Sequence, residues 1–372
     1  MKIRVNSCNK IKGGYEVMVE YIDIFSLKLY PDGKGGQLGD RGNIDGIKIL
    51  KVTDDKVVLE NEIASGVYDY EIDMERREDI AIQHSAEHLF SGIAKEKFGL
   101  NNVGFRMTET ITTIDLDSND ISEEIIKKLM DEINLAVKEG GMVETKICSI
   151  EEARKIELRK PISSKIQSDE IRIVKISNFD ICACAGFHTG DLKDIRVVKL
   201  VSKEIKGKNT RFSIIAGQRA IDDYEAKSKI ITDLNHRFSC RDNEILSCIE
   251  KQFQNYESLK KEFNEMNQKY AKILYDTMDQ KIELINGNEM VFLEEKKEII
   301  NEIKKIFDKN LTLIGLADEN IMLLSNTLDC GHLIGEIKKI SPDLKGGGKG
   351  KQGNLKGNLE EYEIKEILKK IL

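Results

Sequence analysis

Two short segments of the chain carry histidine and cysteine at spacings that suit one shared metal ion. His84 and His88 are four residues apart in a segment with helical periodicity, so their imidazoles should lie on one face of a helix. Cys184 and His188 are also four residues apart, on a segment made pliable by Gly186. The spacing predicts that these four side chains bind one cation, and the mixture of imidazole and thiolate ligands favours zinc.

Two neighbours of these residues are predicted to stay outside the metal site. Cys182 belongs to the strand that precedes Cys184, and its thiol is expected to point away from the ion. Glu87 comes directly before a predicted ligand, but consecutive helical residues diverge by roughly 100°. The His-Glu-x-x-His pattern of metalloproteases is also absent. We therefore predict no catalytic role for Glu87.

The elements that must position the four residues follow from the periodicity of apolar residues. Residues 1–75 alternate short apolar runs with turn signals, which predicts a β-barrel-like domain with a glycine-rich loop. From Ile80 to Gly99 the period becomes helical, and a second helix is expected from about Ser122 to Lys138. Strand-like segments follow, so residues 76–218 are predicted to form an α+β domain that holds the metal site.

A long helical arm is predicted at residues 219–286, which contain neither glycine nor proline. Six apolar or aromatic residues of this arm follow one another at steps of 3, 4, 3, 4 and 3, and they form a seam: Tyr256, Leu259, Phe263, Met266, Tyr270 and Ile273. This heptad spacing predicts a coiled coil. A homodimer through the arm or the C-terminal domain is expected, and a helical hairpin within one chain is the alternative.

The C-terminal part, residues 287–372, combines helical and apolar strand-like segments and is predicted to form an α/β domain. The whole chain is therefore expected to be an α+β multidomain protein. Residues 345–357 contain six glycines and four lysines, which predicts a flexible, locally basic stretch. Lysines contact phosphates through their charge. Nucleic-acid contact is therefore predicted for Lys345, Lys349, Lys351 and Lys356.

Composition limits the class of protein. The formal net charge of −7 over 372 residues argues against a surface that is basic throughout, although it leaves room for a local patch that binds nucleic acid. Seven cysteines, an odd number, favour reduced thiols over a disulfide framework. The start of the chain lacks the apolar core of a signal peptide, and no run approaches 18 apolar residues. A soluble, cytoplasmic protein with no membrane partner is expected.

The motifs together resemble a known family. HSAEH at 84–88 and CAGFH at 184–188 are similar to the HxxxH and CGGxH motifs of the alanyl-tRNA synthetase editing domain and of its free-standing relatives, the AlaX-type alanyl-tRNA editing proteins. Residues 29–42 resemble the family's FYPEGGGQ…D.G signature, and residues 103–107 resemble the strand that follows the first histidine helix. Residues 331–350 are similar to the nucleic-acid-binding DHHA1 domain. Order and spacing match over nearly the whole chain.

This resemblance implies a trans-editing enzyme, an aminoacyl-tRNA deacylase (a carboxylic ester hydrolase) that supports translation fidelity. Its expected substrate is tRNA(Ala) mischarged with serine or glycine. A hydrolytic site separate from the synthetase's own amino-acid pocket is needed. One methylene group changes the free energy of binding by only about 1–3 kcal/mol, so a pocket for alanine cannot exclude glycine by size. Gln37 is the predicted catalytic residue, and its amide would hold the substrate or the attacking water. A role in stabilising its own loop is the alternative.

Two other functions are compatible with the same residues. Editing of seryl-tRNA(Thr) shares the two-motif layout, although the glycine-glycine-glutamine loop and the DHHA1-like end argue against it. A non-catalytic, zinc-stabilised dimer that binds tRNA would carry metal and RNA without hydrolysing an ester.

Overall fold

The structure, a computed structural model, describes residues 1–23, 27–162 and 169–372 of the chain. These residues form two compact units, Met1–Ile231 and Thr232–Leu372. Each unit contains both helices and strands, so the predicted α+β multidomain class is confirmed. The finer division at residues 75, 218 and 286 stays a prediction.

Six short strands close into an antiparallel barrel at the beginning of the first unit. They are β1 (Lys2–Ile11), β2 (Gly14–Tyr21), β3 (Gly42–Ile44), β4 (Ile47–Val52), β5 (Lys56–Leu59) and β6 (Gly66–Ile72). Their order around the barrel is β1-β2-β5-β4-β3-β6. Alternate side chains point inward and fill it, and Ile3, Val17 and Tyr70 are fully buried. The predicted barrel is therefore present, and the glycine-rich loop lies between β2 and β3.

The rest of the first unit packs two long helices against two small sheets. Its elements are α1 (Met74–Phe98), β7 (Asn102–Met107), β8 (Thr112–Leu116), α2 (Glu123–Glu139), β9 (Val143–Ser149), α3 (Ile150–Ala153), β10 (Glu170–Ile176), β11 (Asp180–Ala183), β12 (Val198–Lys206) and β13 (Asn209–Ala216). The sheet orders are β12-β13-β8-β7 and β11-β10-β9. Leu89, Phe90, Ile133 and Phe212 are fully buried members of the core that these elements share.

Helix α1 carries the first pair of predicted ligands and is fixed at both ends. The Asp73 side chain accepts the backbone N–H of Arg76 and caps the N-terminus, which contributes about 1 kcal/mol in typical helices. Gly99 ends the helix in the left-handed conformation, with φ 68°. The helix begins six residues before the predicted Ile80, because its first turns are polar and carry no apolar signal. Its middle, in contrast, is buried on nearly every side.

The helical arm and the second unit follow. Their elements are α4 (Gln218–Phe238), α5 (Ile245–Thr277), β14 (Glu283–Ile285), β15 (Asn288–Glu294), α6 (Lys297–Ile306), β16 (Thr312–Ala317), β17 (Asn320–Ser325), α7 (Cys330–Ile340), β18 (Lys345–Lys349), β19 (Gln352–Lys356) and α8 (Glu361–Ile371). The arm predicted over residues 219–286 is helical over most of its length, but its last residues are not. The helix is interrupted after Phe238, where Ser239 takes φ 51°, and residues 283–285 form a strand.

The glycine-lysine stretch at residues 345–357 is not a flexible segment, which corrects the sequence prediction. It forms the hairpin β18–β19 at one edge of the six-stranded sheet β14-β15-β16-β17-β19-β18. A Cβ atom on Gly346 would lie 2.2 Å from the carbonyl oxygen of Asn354, and one on Gly348 would lie 2.8 Å from Cα of Gly353. Glycine is therefore required here because two backbones approach closely.

A helix that crosses a bilayer must be both long and predominantly apolar. Among the residues that the structure describes, no helix combines that length with that composition.

Candidate metal centre

The structure brings the four predicted ligands together. One ligand atom from each of His84, His88, Cys184 and His188 lies within 4.8 Å of every other. Sγ of Cys184 is 3.5 Å from Nε2 of His84 and 3.4 Å from Nε2 of His188. Tetrahedral zinc with bonds of about 2.0–2.3 Å requires ligand atoms about 3.5 Å apart. The donor set and its spacing therefore fit a zinc ion.

Two separate parts of the first unit supply these side chains. His84 and His88 come from successive turns of α1, where the i and i+4 positions share one face. Strand β11 ends at Ala183, and the backbone then turns so that Cys184 and His188 reach the same place from the following loop. Cys182 lies on β11, is buried and is not one of the four, as the sequence predicted.

Hydrogen bonds on the far side of two rings fix which nitrogen faces the cluster. Nδ1 of His84 is 2.8 Å from Oε1 of Gln37, and Nδ1 of His88 is 2.7 Å from Oδ2 of Asp180. An amide oxygen and a carboxylate can only accept, so each Nδ1 carries the proton. The lone pair of each ring is therefore on Nε2, where a metal ion would bind.

The third ring has a similar arrangement. Nδ1 of His188 is 3.2 Å from the hydroxyl oxygen of Ser85, which also accepts the backbone N–H of Thr189 at 3.0 Å. A hydroxyl has two acceptor lone pairs, so it can take both protons. All three imidazoles thus hydrogen-bond through Nδ1 and leave Nε2 for the centre.

Gln37, the predicted catalytic residue, lies beside the predicted metal ligands and is buried. Its Oε1 accepts hydrogen bonds from His84 and from the backbone N–H of Phe187, the latter at 2.9 Å. Its Nε2 donates a long bond of 3.4 Å to the carbonyl oxygen of Leu38. The amide oxygen is therefore engaged in positioning, and only Nε2 has capacity left for a substrate. The catalytic role of Gln37 stays a prediction.

The loop that carries Gln37 is held in place by one carboxylate. Asp32 accepts two hydrogen bonds of 2.9 Å from the guanidinium of Arg41. It also accepts the backbone N–H groups of Gly39 and Val52, at 3.1 and 3.0 Å. Burial raises the pKa of Asp32, but these donors outweigh burial and keep the pKa below its ordinary value. The carboxylate therefore stays charged and ties the glycine-rich loop to the barrel.

The electrostatics of the cluster favour one added positive charge. Burial lowers the pKa of His84 and of His188 well below the ordinary value, so both rings are neutral and available as ligands. Burial also lowers the pKa of His88, but its hydrogen bonds with Asp180 and Cys184 and the charge of Glu87 raise it well above that value. A divalent cation bound in the cluster would supply the positive charge that Asp180 and Glu87 stabilise.

Sequence reasoning missed two of the residues that hold the ligands. Asp180 has a fully buried side chain and is itself paired with Nε of Arg159 at 2.6 Å. Ser85 is fully buried next to His84. Alternation along β11 places Asp180 on one face with Cys182, but only the fold shows that this face meets α1.

The chain is similar to several proteins of known name. Residues 171–212, which include Cys184 and His188, match the family described as the threonyl and alanyl tRNA synthetase second additional domain. The alanyl-tRNA editing protein Aarsd1 of Rattus norvegicus is 25% identical over 94% of this chain and 86% of its own length. The Bos taurus protein of that name is 27% identical over 66% of this chain, a match that spans only 55% of the bovine protein.

A longer enzyme is also similar. The alanine--tRNA ligase of Methanobrevibacter smithii is 26% identical over 86% of this chain, which spans 39% of the ligase. A solved structure of a DHH domain covers 41% of the chain at 16% identity and a TM-score of 0.22, which is too low to show a shared fold. The relatives of known name confirm the resemblance to alanyl-tRNA editing proteins that the motifs indicate.

Gly186 offers a direct test of the packing at this centre. A Cβ atom there would lie 2.2 Å from Cε1 of His84 and 2.4 Å from Oε1 of Gln37. We expect Gly186→Ala to displace the His84 ring and to lower the zinc bound per chain, measured by mass spectrometry of the purified protein. Gly190→Ala is the matched control, since nothing lies within 4 Å of its Cβ position. Equal zinc in both variants would contradict this packing.

Proposed function

We propose that the chain is a zinc-dependent, cytoplasmic aminoacyl-tRNA deacylase that removes serine and glycine from mischarged tRNA(Ala). One observation carries the proposal: three Nε2 atoms and one thiol converge, and the far side of each ring is held by a buried hydrogen-bond partner. The similarity to alanyl-tRNA editing proteins over nearly the whole chain supports the choice of substrate.

The ester bond of an aminoacyl-tRNA suits a metal site of this kind. The substrate is an ester between the carboxyl carbon of an amino acid and a hydroxyl of the terminal ribose. Zinc bound by His84, His88, Cys184 and His188 would supply a Lewis acid beside that ester. The residues around the cluster hydrogen-bond to the three imidazoles and fix their tautomers. Gln37 is the proposed contact to the substrate, through its Nε2 atom.

Deacylation of defined substrates tests the proposal. We expect Ser-tRNA(Ala) and Gly-tRNA(Ala) to lose their amino acid, Ala-tRNA(Ala) to be spared, and a chelator to stop the reaction. His88→Ala should lose both zinc and activity, because it removes one of the four predicted ligands. His236→Ala, an exposed histidine of α4, is the control.

Each competing function has its own outcome in this assay. Hydrolysis of none of the three esters would reject the enzyme, and equal loss of all three would reject proofreading. Ser-tRNA(Thr) is added as a fourth substrate, and its preferential hydrolysis would favour the threonine alternative, which the matched family description also covers. Zinc and tRNA binding without any hydrolysis would favour the non-catalytic dimer.

The β18–β19 hairpin is the proposed tRNA contact of the second unit, a part we assign as DHHA1-like. Lys345, Lys349, Lys351 and Lys356 are all exposed on it. A cavity of about 440 Å³ beside the hairpin is lined by Lys349, by backbone of the glycines and by two lysines of α6, Lys297 and Lys304. Several ammonium groups beside a glycine backbone suit the phosphate backbone of an RNA. The lysines supply positive charge, and the glycines let the phosphates come close to the protein backbone.

The salt dependence of tRNA binding measures the contribution of the hairpin lysines. The double variant Lys349→Gln/Lys351→Gln should bind tRNA(Ala) more weakly and should reduce the slope of log affinity against log salt by about 2, because two phosphates would no longer be neutralised. Lys127→Gln, an exposed lysine of α2, should leave the slope unchanged. A slope equal to that of the wild type in the hairpin variant would reject the hairpin as a tRNA-binding element.

The arm is the proposed dimer interface. The six seam residues of α5 are between 42% and 65% exposed, although they are spaced as the core of a coiled coil: Tyr256, Leu259, Phe263, Met266, Tyr270 and Ile273. Such a continuous stripe on a 33-residue helix is expected to bury itself against another helix. A second copy of the same helix offers an identical stripe and satisfies the spacing, so we assign a homodimer.

Sedimentation velocity tests the dimer. Leu259→Glu/Phe263→Glu should convert a concentration-dependent dimer into a monomer, because two carboxylates would be forced into the apolar seam. Gln268→Glu adds charge to the exposed opposite face of the helix and should leave the dimer intact. A wild-type chain that sediments as a monomer at all concentrations would exclude this interface.

A further inference from the structure

The exposed seam of α5 alternates between two kinds of side chain. In heptad notation its a positions hold the aromatic members: Tyr256, Phe263 and Tyr270. Its d positions hold the aliphatic members: Leu259, Met266 and Ile273. Every member is at least 42% exposed, so a second helix can reach the whole seam.

The orientation of a second α5 helix decides which seam residues meet. In a parallel pair each a residue faces its own counterpart, which would stack three layers of two aromatic rings between layers of two aliphatic side chains. In an antiparallel pair an a residue faces a d residue, so every layer would combine one ring with one aliphatic side chain. Layers of equal volume pack without voids at one constant distance between the helix axes. The side-chain volumes therefore favour the antiparallel pair.

Two charged residues flank the seam on one side. Glu262 and Lys269 occupy successive g positions, each directly before an aromatic a residue. Both are exposed, and neither makes an ion pair with any residue that the structure describes. An ion pair of 3.9 Å between Lys261 and Glu265 lies on the outward-facing f and c positions of the same helix. The charges of Glu262 and Lys269 are therefore available to a second copy of the chain.

One antiparallel register lets all six seam residues of each helix meet a residue of the other. It places Phe263 beside Met266 of the second copy, and Tyr256 beside Ile273 of the second copy. Residues at g positions face each other across an antiparallel pair, so this register forms two ion pairs between Glu262 of one copy and the lysine at 269 of the other.

Other arrangements of the two helices do not pair these charges. A shift of one heptad along the antiparallel pair brings Glu262 against its own counterpart, and a shift in the other direction brings Lys269 against its own counterpart. Like charges at such positions repel each other. In a parallel pair g positions face e positions, so Glu262 would meet Asn267 and Lys269 would meet Leu274. The flanking charges therefore select both the orientation and the register that side-chain volume favours.

We propose that α5 pairs with α5 of a second copy in antiparallel orientation, in the register that joins Glu262 to Lys269. This inference rests on the homodimer proposed above and adds its geometry. The residues at 277 of the two copies would lie roughly 40 Å apart along the pair, because a helix rises about 1.5 Å per residue. Ala271 and Met278, at this end of the arm, belong to the core of the second unit. The two copies of the C-terminal sheet, each with its own lysine hairpin, therefore lie at opposite ends of the helix pair.

Charge exchange at the two g positions tests the register. Glu262→Lys alone and Lys269→Glu alone each turn both ion pairs into like-charge contacts. Each should raise the dissociation constant of the dimer about 10-fold in sedimentation equilibrium at low salt. The double variant Glu262→Lys/Lys269→Glu restores both pairs with reversed signs and should dimerise like the wild type. Circular dichroism should show equal helix content in all of these variants, because both positions are exposed.

Two control variants separate pairing from net charge. Glu265→Lys and Lys272→Glu make the same changes of charge at exposed c positions, which lie further from the seam. Each should change the dissociation constant by less than about twofold, since solvent and salt screen such charges. Wild-type dimerisation of both single g variants, or no recovery in the double variant, would overturn the inference. A wild-type chain that is monomeric would instead reject the homodimer itself, so the two failures are distinguishable.

Photocrosslinking measures the orientation independently. Tyr256→p-benzoylphenylalanine keeps an aromatic ring at an a position and, when illuminated, reacts with C–H groups that it contacts. Mass spectrometry of the digested dimer should find residue 256 joined to the segment around Ile273 of the second copy. A crosslink to residues 253–260 of the second copy would show a parallel pair and would contradict the proposal.

Discussion

Everything in the candidate metal centre depends on hydrogen bonds to the Nδ1 atoms of three imidazole rings. Gln37, Asp180 and Ser85 each face the Nδ1 atom of one ring, and in this way they turn the three Nε2 atoms toward one thiol. These bonds join residues that are 47, 92 and 103 positions apart in the chain. A ring that is free to rotate would lose both its orientation and its tautomer, so the site requires the complete fold of the first unit.

The same bonds connect the barrel to the rest of this unit. Gln37 belongs to the loop between β2 and β3, yet its amide oxygen binds α1 through His84 and the cysteine loop through Phe187. Gly186 lets these three segments meet, because any side chain there would occupy the space of His84 and Gln37. The barrel therefore helps to position the candidate metal ligands. The glycine-rich loop, the histidine pair of α1 and the cysteine loop are therefore in direct contact in the fold.

Much of this arrangement could be predicted from the sequence, and the rest could not for identifiable reasons. The i, i+4 pairs follow from helical geometry, and they indicated which four residues would meet. Asp180 and Ser85 were missed because their roles depend on where side-chain oxygen atoms lie after packing, whereas periodicity describes only the direction of Cβ. The hairpin at residues 345–357 was mistaken for a flexible stretch, since glycine can indicate either freedom or close backbone contact. The position of the break in the arm was not predicted, because a break made by Ser239 in the left-handed conformation involves neither glycine nor proline.

The central claim is that one cation binds three imidazole nitrogens and one thiolate. X-ray absorption spectroscopy of the purified, zinc-loaded chain measures this coordination directly. The account predicts one zinc per chain with three nitrogen ligands at about 2.0–2.1 Å and one sulfur at about 2.3 Å. A zinc ion surrounded only by oxygen, one with two or more sulfur ligands, or a chain that takes up no zinc at all would contradict it.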